Sequence, residues 1–138
     1  MSYKKPGTLK WPNVGPNFVP EFQISSIPWA TSSQVTPGQI ETWEFYRVTR
    51  FVTVVNAATG SSNSLRVGFT RNGVDDENYI LVPPGEQLSE ELKLIELHIK
   101  GDAGAVGPTQ YSVLAGITGC DPRQYPVLTG SVGFEGVG

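Results

Sequence analysis

The chain has 138 residues, a formal net charge of −3 and a pI of about 5.1, which fit one acidic domain and argue against binding driven by phosphate neutralisation. Only 17% of the residues are charged, and sixteen Gly and eleven Pro are too many helix breakers for a helical bundle. The single cysteine excludes an intrachain disulfide scaffold. The composition therefore predicts an all-β domain with extended ends.

Residues 1–38 are predicted to form an extended N-terminal arm. Four prolines among the first twenty residues exclude helix, because each removes an amide donor and biases the preceding residue toward extended geometry. Trp11, Phe18 and Phe22 are spaced along the same stretch, and disordered tails normally lack such aromatics. We expect the arm to lie against its own domain or a neighbouring subunit. The three lysines in the first ten residues are interpreted as a solvated end rather than a nucleic-acid contact.

The end of the arm has mixed signals. Glu21–Thr31 is predicted to be an edge strand or a continuation of the arm, because Pro28 would not be tolerated in a central strand. Trp29 is counted among the anchors of the arm. Ser32–Gly38 is predicted to be a polar linker that closes with a Pro-Gly turn.

Residues 39–118 are predicted to form the β-sandwich core. Ile40–Phe45 begins the extended pattern, and Val48–Asn56 follows as a near-continuous apolar run that predicts a central strand. Leu65–Thr70 alternates with a period of two and runs into Asn72-Gly73, a pair typical of a tight turn with positive φ.

The second half of the core continues the pattern. Asn78–Val82 is a predicted strand that Pro83-Pro84-Gly85 ends, and Gln110–Ile117 is the last one. Leu88–Lys100 fits both a helix and a strand with a bulge near Leu94, and we favour the strand because its neighbours are strands. Fewer strands can be assigned than the eight of a complete jelly roll.

Residues 119–138 are predicted to form an extended C-terminal tail, because the alternation stops after Gly119 and isolated apolar residues follow among glycines. The predicted interface residues are Trp11, Phe18, Phe22 and Trp29 from the arm, and Leu128 and Phe134 from the tail.

Candidate reactive residues are few. His98 is the single histidine, so it is the base that a Ser-His-Asp triad or a cysteine nucleophile at Cys120 would need, and we interpret it as a solvent-facing strand residue. Asp75-Asp76-Glu77 lacks the spacing of a calcium loop and is interpreted as a solvated turn. No catalytic residue, cofactor site or metal site is predicted. An enzyme remains the third hypothesis for the chain.

The sequence has no apolar run near the ~20 residues that a membrane-spanning helix needs and no apolar signal core at its start. We therefore expect a soluble protein that is made in the cytoplasm and does not insert into a membrane.

The succession of these strands resembles a known class of protein. Arg50–Asn56, Leu65–Thr70, Pro83–Gln87 and Tyr111–Gly116 together are similar to the small single β-sandwich or jelly-roll proteins of icosahedral virus and phage capsids. Such proteins serve as vertex (penton), cement or decoration subunits. The resemblance covers about residues 45–118 and depends on strand order and turn placement.

The resemblance implies an antiparallel, jelly-roll-like β-sandwich and a non-enzymatic structural role in a virion. It also implies contact with a major capsid protein through the arms and self-association around a symmetry axis, as a trimer or pentamer. The alternative function is a carbohydrate- or receptor-binding module of a viral fibre, in which Trp29 or Trp43 stacks on a sugar ring.

Overall fold

A computed structural model describes residues 26–124, which form two four-stranded antiparallel sheets. The strands are β1 (Ile27–Val35), β2 (Ile40–Glu44), β3 (Thr49–Asn56), β4 (Leu65–Gly68), β5 (Tyr79–Val82), β6 (Gln87–Glu90), β7 (Glu96–Gly101) and β8 (Thr109–Ile117). A short helix, α1 (Arg71–Asp75), lies between β4 and β5, and a 3₁₀ turn spans Pro122–Gln124. The predicted all-β antiparallel sandwich is confirmed.

The strand order is that of a rolled hairpin. Sheet I has the order β1-β8-β3-β6 and sheet II the order β2-β7-β4-β5. The chain pairs with itself in reverse, so that β1 meets β8, β2 meets β7, β3 meets β6 and β4 meets β5, all antiparallel. This long ribbon is rolled so that β3 also pairs with β8, and β4 with β7. The described residues therefore contain all eight strands of a jelly roll.

The core lies between the sheets and is formed by alternate residues of their strands. Val54, Leu65, Val67, Val113 and Ile117 are each at most 1% exposed. Burying such a side chain contributes about 1.5–3 kcal/mol, which explains why the strands with clear alternation were predicted correctly. β3 is an inner strand of sheet I, as its near-continuous apolar run predicts.

The sandwich begins earlier in the chain than the predicted boundary at residue 39. β1 lies inside the range predicted to be the arm, and it pairs with β8 along its whole length, from Ile27 with Ile117 to Val35 with Thr109. It is an edge strand, which is the position that Pro28 predicts. The linker prediction for Ser32–Gly38 is wrong up to Val35, because the small polar residues there form strand pairs.

The prediction of a tight turn with positive φ at Asn72-Gly73 is also wrong. Both residues lie in α1, and Gly73 is not among the described glycines with positive φ. Thr70 caps the helix, since its Oγ1 accepts a hydrogen bond from the Gly73 N–H at 2.9 Å. Val74 is fully buried in α1. The cap and the burial of Val74 together stabilise a helical turn over the local preference for a tight turn.

The preference for strand over helix in Leu88–Lys100 is confirmed, but the segment forms two strands. β6 belongs to sheet I and β7 to sheet II, so residues 91–95 cross from one sheet to the other. Leu94 is 5% exposed, and its N–H donates to Thr49 Oγ1 at 2.9 Å. The change of parity near Leu94 marks this crossing rather than a bulge within one strand.

The start of the predicted tail packs on the sandwich. The Val48 N–H donates to the Cys120 carbonyl at 3.3 Å, and Thr118 Oγ1 donates to the Val48 carbonyl at 2.6 Å. Asp121 is 5% exposed and accepts hydrogen bonds from the Arg123 guanidinium. Residues 119–124 therefore extend the packed domain beyond β8.

Candidate functional site

The structure describes one of the six predicted interface residues. Trp29 lies in β1. Trp11, Phe18 and Phe22 of the arm, and Leu128 and Phe134 of the tail, lie outside the described residues. Their assignment to an interface stays a prediction.

Trp29 packs between the two sheets, at the side of the sandwich formed by edge strands β1 and β2. Its ring meets the Trp43 ring edge-on, with centroids 5.9 Å apart, and the Phe45 ring with centroids 5.0 Å apart. Because β1 and β2 are edge strands of different sheets, this aromatic cluster closes the side where the two sheets part. Trp29 is half-buried, and much of its surface is used within its own domain.

A polar network lies beside this cluster and joins the two sheets. Tyr111 Oη donates to Glu41 Oε1 at 2.5 Å and accepts from Trp43 Nε1 at 2.8 Å. Ser33 Oγ donates to the same carboxylate oxygen at 3.2 Å. Burial, together with the bond to Glu41, raises the pKa of the Tyr111 hydroxyl. Tyr111 therefore remains a protonated donor, which suits a structural link and not a base.

His98 lies on the predicted outer face but is buried, so the prediction that it faces solvent is wrong. Its exposure is 4%, because α1 covers this part of sheet II. Its Nδ1 lies 2.9 Å from Thr42 Oγ1, within hydrogen-bond distance. Its Nε2 lies 3.3 Å from Glu96 Oε1 without the alignment of a hydrogen bond.

Glycine in β4 is what allows α1 to lie so close to the sheet. A Cβ on Gly68 would come 2.7 Å from the Val74 Cβ, well inside van der Waals contact. His98, opposite Gly68 in the next strand, is thereby enclosed.

Cys120, fully buried, follows β8 of sheet I, whereas His98 is in β7 of sheet II. The fold places the two candidate reactive residues on different sheets.

The acidic cluster at the end of α1 is exposed, as the sequence predicts. Asp75 Oδ1 accepts a hydrogen bond from Lys100 Nζ at 2.8 Å, and this bond and the lysine charge hold the pKa of Asp75 below its usual value. Asp76 and Glu77 are exposed beside it. Within residues 26–124, no three His, Cys, Asp or Glu side chains come together in a way that could hold a metal ion.

Hydrogen bonds from two buried asparagines hold the loop after β3 in place. Asn56 Nδ2 donates to the Asn63 and Val82 carbonyls at 2.8 and 2.9 Å. Asn63 Oδ1 accepts from the Val106 N–H at 3.0 Å. These bonds tie the loops after β3, β5 and β7 together at one end of the sandwich. The open cleft at this end is lined mostly by small residues, including residues 57–63.

The outer face of sheet I has charged side chains at one end only, and we call the uncharged remainder of this face the neutral face. Along each strand its residues alternate with those of the core. Its residues are Pro28, Ala30, Ser32 and Gln34 on β1, Gln110, Ser112, Leu114 and Gly116 on β8, Phe51, Thr53 and Val55 on β3, and Gln87 and Ser89 on β6. A well-solvated surface has roughly 25–35% charged residues, so an uncharged patch that extends over four strands is unusual.

Two pairs of hydroxyls on the neutral face bond to one another across strands. The Oγ atoms of Ser32 and Ser112 lie 2.8 Å apart, and Thr53 Oγ1 lies 2.8 Å from Ser89 Oγ. Near the middle of the face, Leu114 is 42% exposed among these small side chains. Charged residues are found at one end, where Arg50, Glu90 and Glu91 line a groove together with Phe51, Thr53 and Ser89 of the face.

The neutral face is not predicted from the sequence. The clearest sequence signal of this face is the uncharged stretch from Ala30 to Gln34. Its small hydroxyl-bearing residues also have the composition of a linker, so the stretch does not stand out as a strand. The alternation of Gln110, Ser112 and Leu114 with the buried residues of β8 could also have indicated it. Only the pairing of β1 with β8 and of β8 with β3 shows that these uncharged positions form one surface.

Comparison of the sequence with protein families and with curated proteins identifies no relative. No protein-family model matches the sequence, and no curated protein is significantly similar to it. Among the described residues, no helix has the length and apolar character to cross a membrane.

Proposed function

We propose that this chain is a structural protein of a virion, a minor capsid subunit of the vertex, cement or decoration type. The observation that carries the proposal is the strand order, β1-β8-β3-β6 over β2-β7-β4-β5. Eight-stranded jelly rolls of this kind form viral capsid proteins, and they also occur in lectins and cupins. The proposal is therefore an analogy at the level of the fold, and the chemistry of the surfaces has to separate these classes.

The surfaces favour a structural subunit over the other two classes. A cupin needs a cluster of metal-binding side chains, and residues 26–124 bring no such group together. A sugar-binding site needs an aromatic face open to solvent, whereas Trp29 packs on Trp43 and Phe45. Trp43 also donates its indole N–H to Tyr111. In this proposal the chain has no enzymatic role.

In the proposed virion, the jelly roll is the rigid body and the terminal segments make contacts with neighbours. Its partners are a major capsid protein and further copies of the chain around a symmetry axis, as a trimer or pentamer. Extended segments bind by laying main chain and spaced anchors over a partner. The aromatic residues Trp11, Phe18 and Phe22 have this role in the proposal.

The direct test is to look for the protein in particles. Virus particles purified by density gradient from the source material should contain peptides of this chain in a fixed ratio to the major capsid protein. Antibodies raised against the full chain should decorate intact icosahedral particles. Peptides confined to the soluble fraction would contradict the proposal, and binding of the purified protein to a glycan array would favour the receptor-binding alternative.

Removal of Met1–Pro20 tests the role of the arm. All eight strands lie within Ile27–Ile117, so we expect the shortened chain to fold. Its incorporation into particles should be lost. A shortened chain that fails to fold would show that the arm packs on its own domain instead.

A further inference from the structure

We propose that the neutral face of sheet I is a self-association surface, and that its partner is a second copy of this chain. The inference goes beyond the proposed function, because it concerns what the isolated protein does in solution.

Charge is the first reason for choosing a second copy. The chain has a net charge of −3, so two copies repel each other at most orientations. The outer side of sheet II would bring together acidic groups such as Asp75, Asp76 and Glu96. The neutral face has no charged group, so two copies can meet there without burying like charges or leaving an ion unpaired.

The second reason is that four hydroxyls of the face already have partners. Covering a hydroxyl costs free energy when its bonds to water are lost and not replaced. The Ser32–Ser112 and Thr53–Ser89 pairs keep a hydrogen bond within the face when water is removed. These pairs therefore lower the cost of covering the face with a second copy.

The third reason is shape. In the register of sheet I, Leu114 lies between Ala30 on β1 and Thr53 on β3, so it protrudes from a surface of small side chains. A two-fold axis that passes beside Leu114 would place each leucine on the small residues of the other copy, such as Ala30 and Thr53. An isologous contact of this kind uses the same patch on both partners.

The size of the face sets the strength of the contact. The thirteen residues of the face, each occupying about 4.8 Å by 6.7 Å of the sheet, give an area of about 400 Å² per copy. A pair would then bury about 800 Å² in total, which is in the range of weak or transient interfaces. We therefore expect association that depends on concentration.

The test is the oligomeric state of the full chain by sedimentation velocity over a wide range of concentration. The wild-type protein should self-associate, and Leu114→Asp should weaken the dissociation constant by about tenfold or more, because it buries a carboxylate at the contact. Leu81→Asp is the matched control. Leu81 is 50% exposed on sheet II, against 42% for Leu114 on sheet I, and its substitution should leave association unchanged.

Two further measurements keep the test decisive. Ser89→Lys adds a charge to the face on edge strand β6, where lysine is well tolerated, and it should also weaken association. Added salt should leave association unchanged or strengthen it, because salt screens the net repulsion between copies. Association that salt weakens would indicate ion pairs and would contradict the proposal.

Other outcomes overturn the inference. A monomer at every concentration would do so, as would equal effects of Leu114→Asp and Leu81→Asp. A monomer that Leu114→Asp destabilises would show that a terminal segment of the same chain covers the face. Self-association through the face by a protein that is absent from particles would refute the proposed virion role and leave this inference standing.

Discussion

Within residues 26–124, sheet II covers its outer face with α1 and charged side chains, whereas most of the outer face of sheet I has uncharged side chains. On sheet II, the Arg66 guanidinium lies 4.4 Å from the centre of the Tyr79 ring and 3.3 Å from Asp102, and Lys100 holds Asp75. On sheet I, the polar contacts between the outward side chains are hydroxyl pairs such as Ser32 with Ser112. One face is completed within the chain, and the other is suited to a second molecule.

The largest effect is expected from one methyl group added between sheet II and α1. A Cβ on Gly68 would lie 2.7 Å from the Val74 Cβ and 3.0 Å from its Cα, so the helix must move away from the sheet. Gly68→Ala should lower the free energy of unfolding by about 3 kcal/mol, measured by urea denaturation.

The matching position on sheet I is Gly116. A Cβ there would meet Ser26 Oγ and the edge of the Phe51 ring, with the nearest ring atom at 2.4 Å. Those groups are the ends of flexible side chains that can turn aside, so Gly116→Ala should cost only about 1 kcal/mol. Equal losses for the two alanine variants would show that both faces are equally closed.

The next effect concerns the histidine under the helix. His98→Ala removes a side chain that is 4% exposed and leaves Thr42 Oγ1 without its partner. The free energy of unfolding should fall by about 2 kcal/mol, while self-association stays unchanged. Thr42→Val keeps the packing and removes only the hydrogen bond, so it should cost about 1 kcal/mol or less. A His98→Ala variant as stable as the wild type would show that α1 does not enclose this residue.

Tyr111 allows a test on the inner side of the sandwich, away from both outer faces. Its pKa is raised in the folded protein, so the unfolded chain loses the phenolic proton first, near pH 10. The stabilisation from Tyr111 is complete below that pH, and above it the free energy of unfolding should fall by about 1.4 kcal/mol per pH unit. Tyr111→Phe should cost about 1 kcal/mol at neutral pH and should show a shallower alkaline decline. Identical alkaline profiles would contradict the role given to Tyr111.

The smallest effect is expected on the surface of sheet II, at the pair of Asp75 and Lys100. The folded-state pKa of Asp75 is lowered, so its contribution is present above its ordinary value of 3.8 and is lost as the pH falls through the lower folded value. Asp75→Asn should lower stability at neutral pH only slightly, because the pair is exposed to solvent. In an NMR titration, Lys100→Met should return the Asp75 pKa toward its ordinary range, and an unchanged pKa would show that the pair does not form.

The sequence predicts those strands in which one side is apolar and the other is polar or small. Leu65 and Val67 alternate with Arg66 and Gly68, and burial of the apolar pair decides which side faces the core. β1 is harder, because Ser32 and Gln34 face outward and Ser33 faces the Glu41 carboxylate, so neither side looks apolar. Its strand character comes from pairing with β8, a contact between residues far apart in the chain.

The interaction surfaces are less predictable for a similar reason. The burial of His98 depends on α1, which in turn depends on the Thr70 cap and on the absence of a Cβ at Gly68. The neutral face combines four strands whose order only the fold determines. No single stretch of sequence contains it, whereas Trp29 stands out in the sequence and packs largely against its own domain.

Cys120 makes the end of the sandwich easy to follow by chemistry. It is fully buried, and its carbonyl accepts a hydrogen bond from the Val48 N–H, where the chain after β8 meets the start of β3. An alkylating reagent can reach the sulfur only while this junction is open. The rate of labelling at Cys120 therefore reports how often this end of the domain opens locally. A partner that binds this end of the protein would lower the labelling rate of Cys120, and a partner that binds elsewhere would leave the rate unchanged.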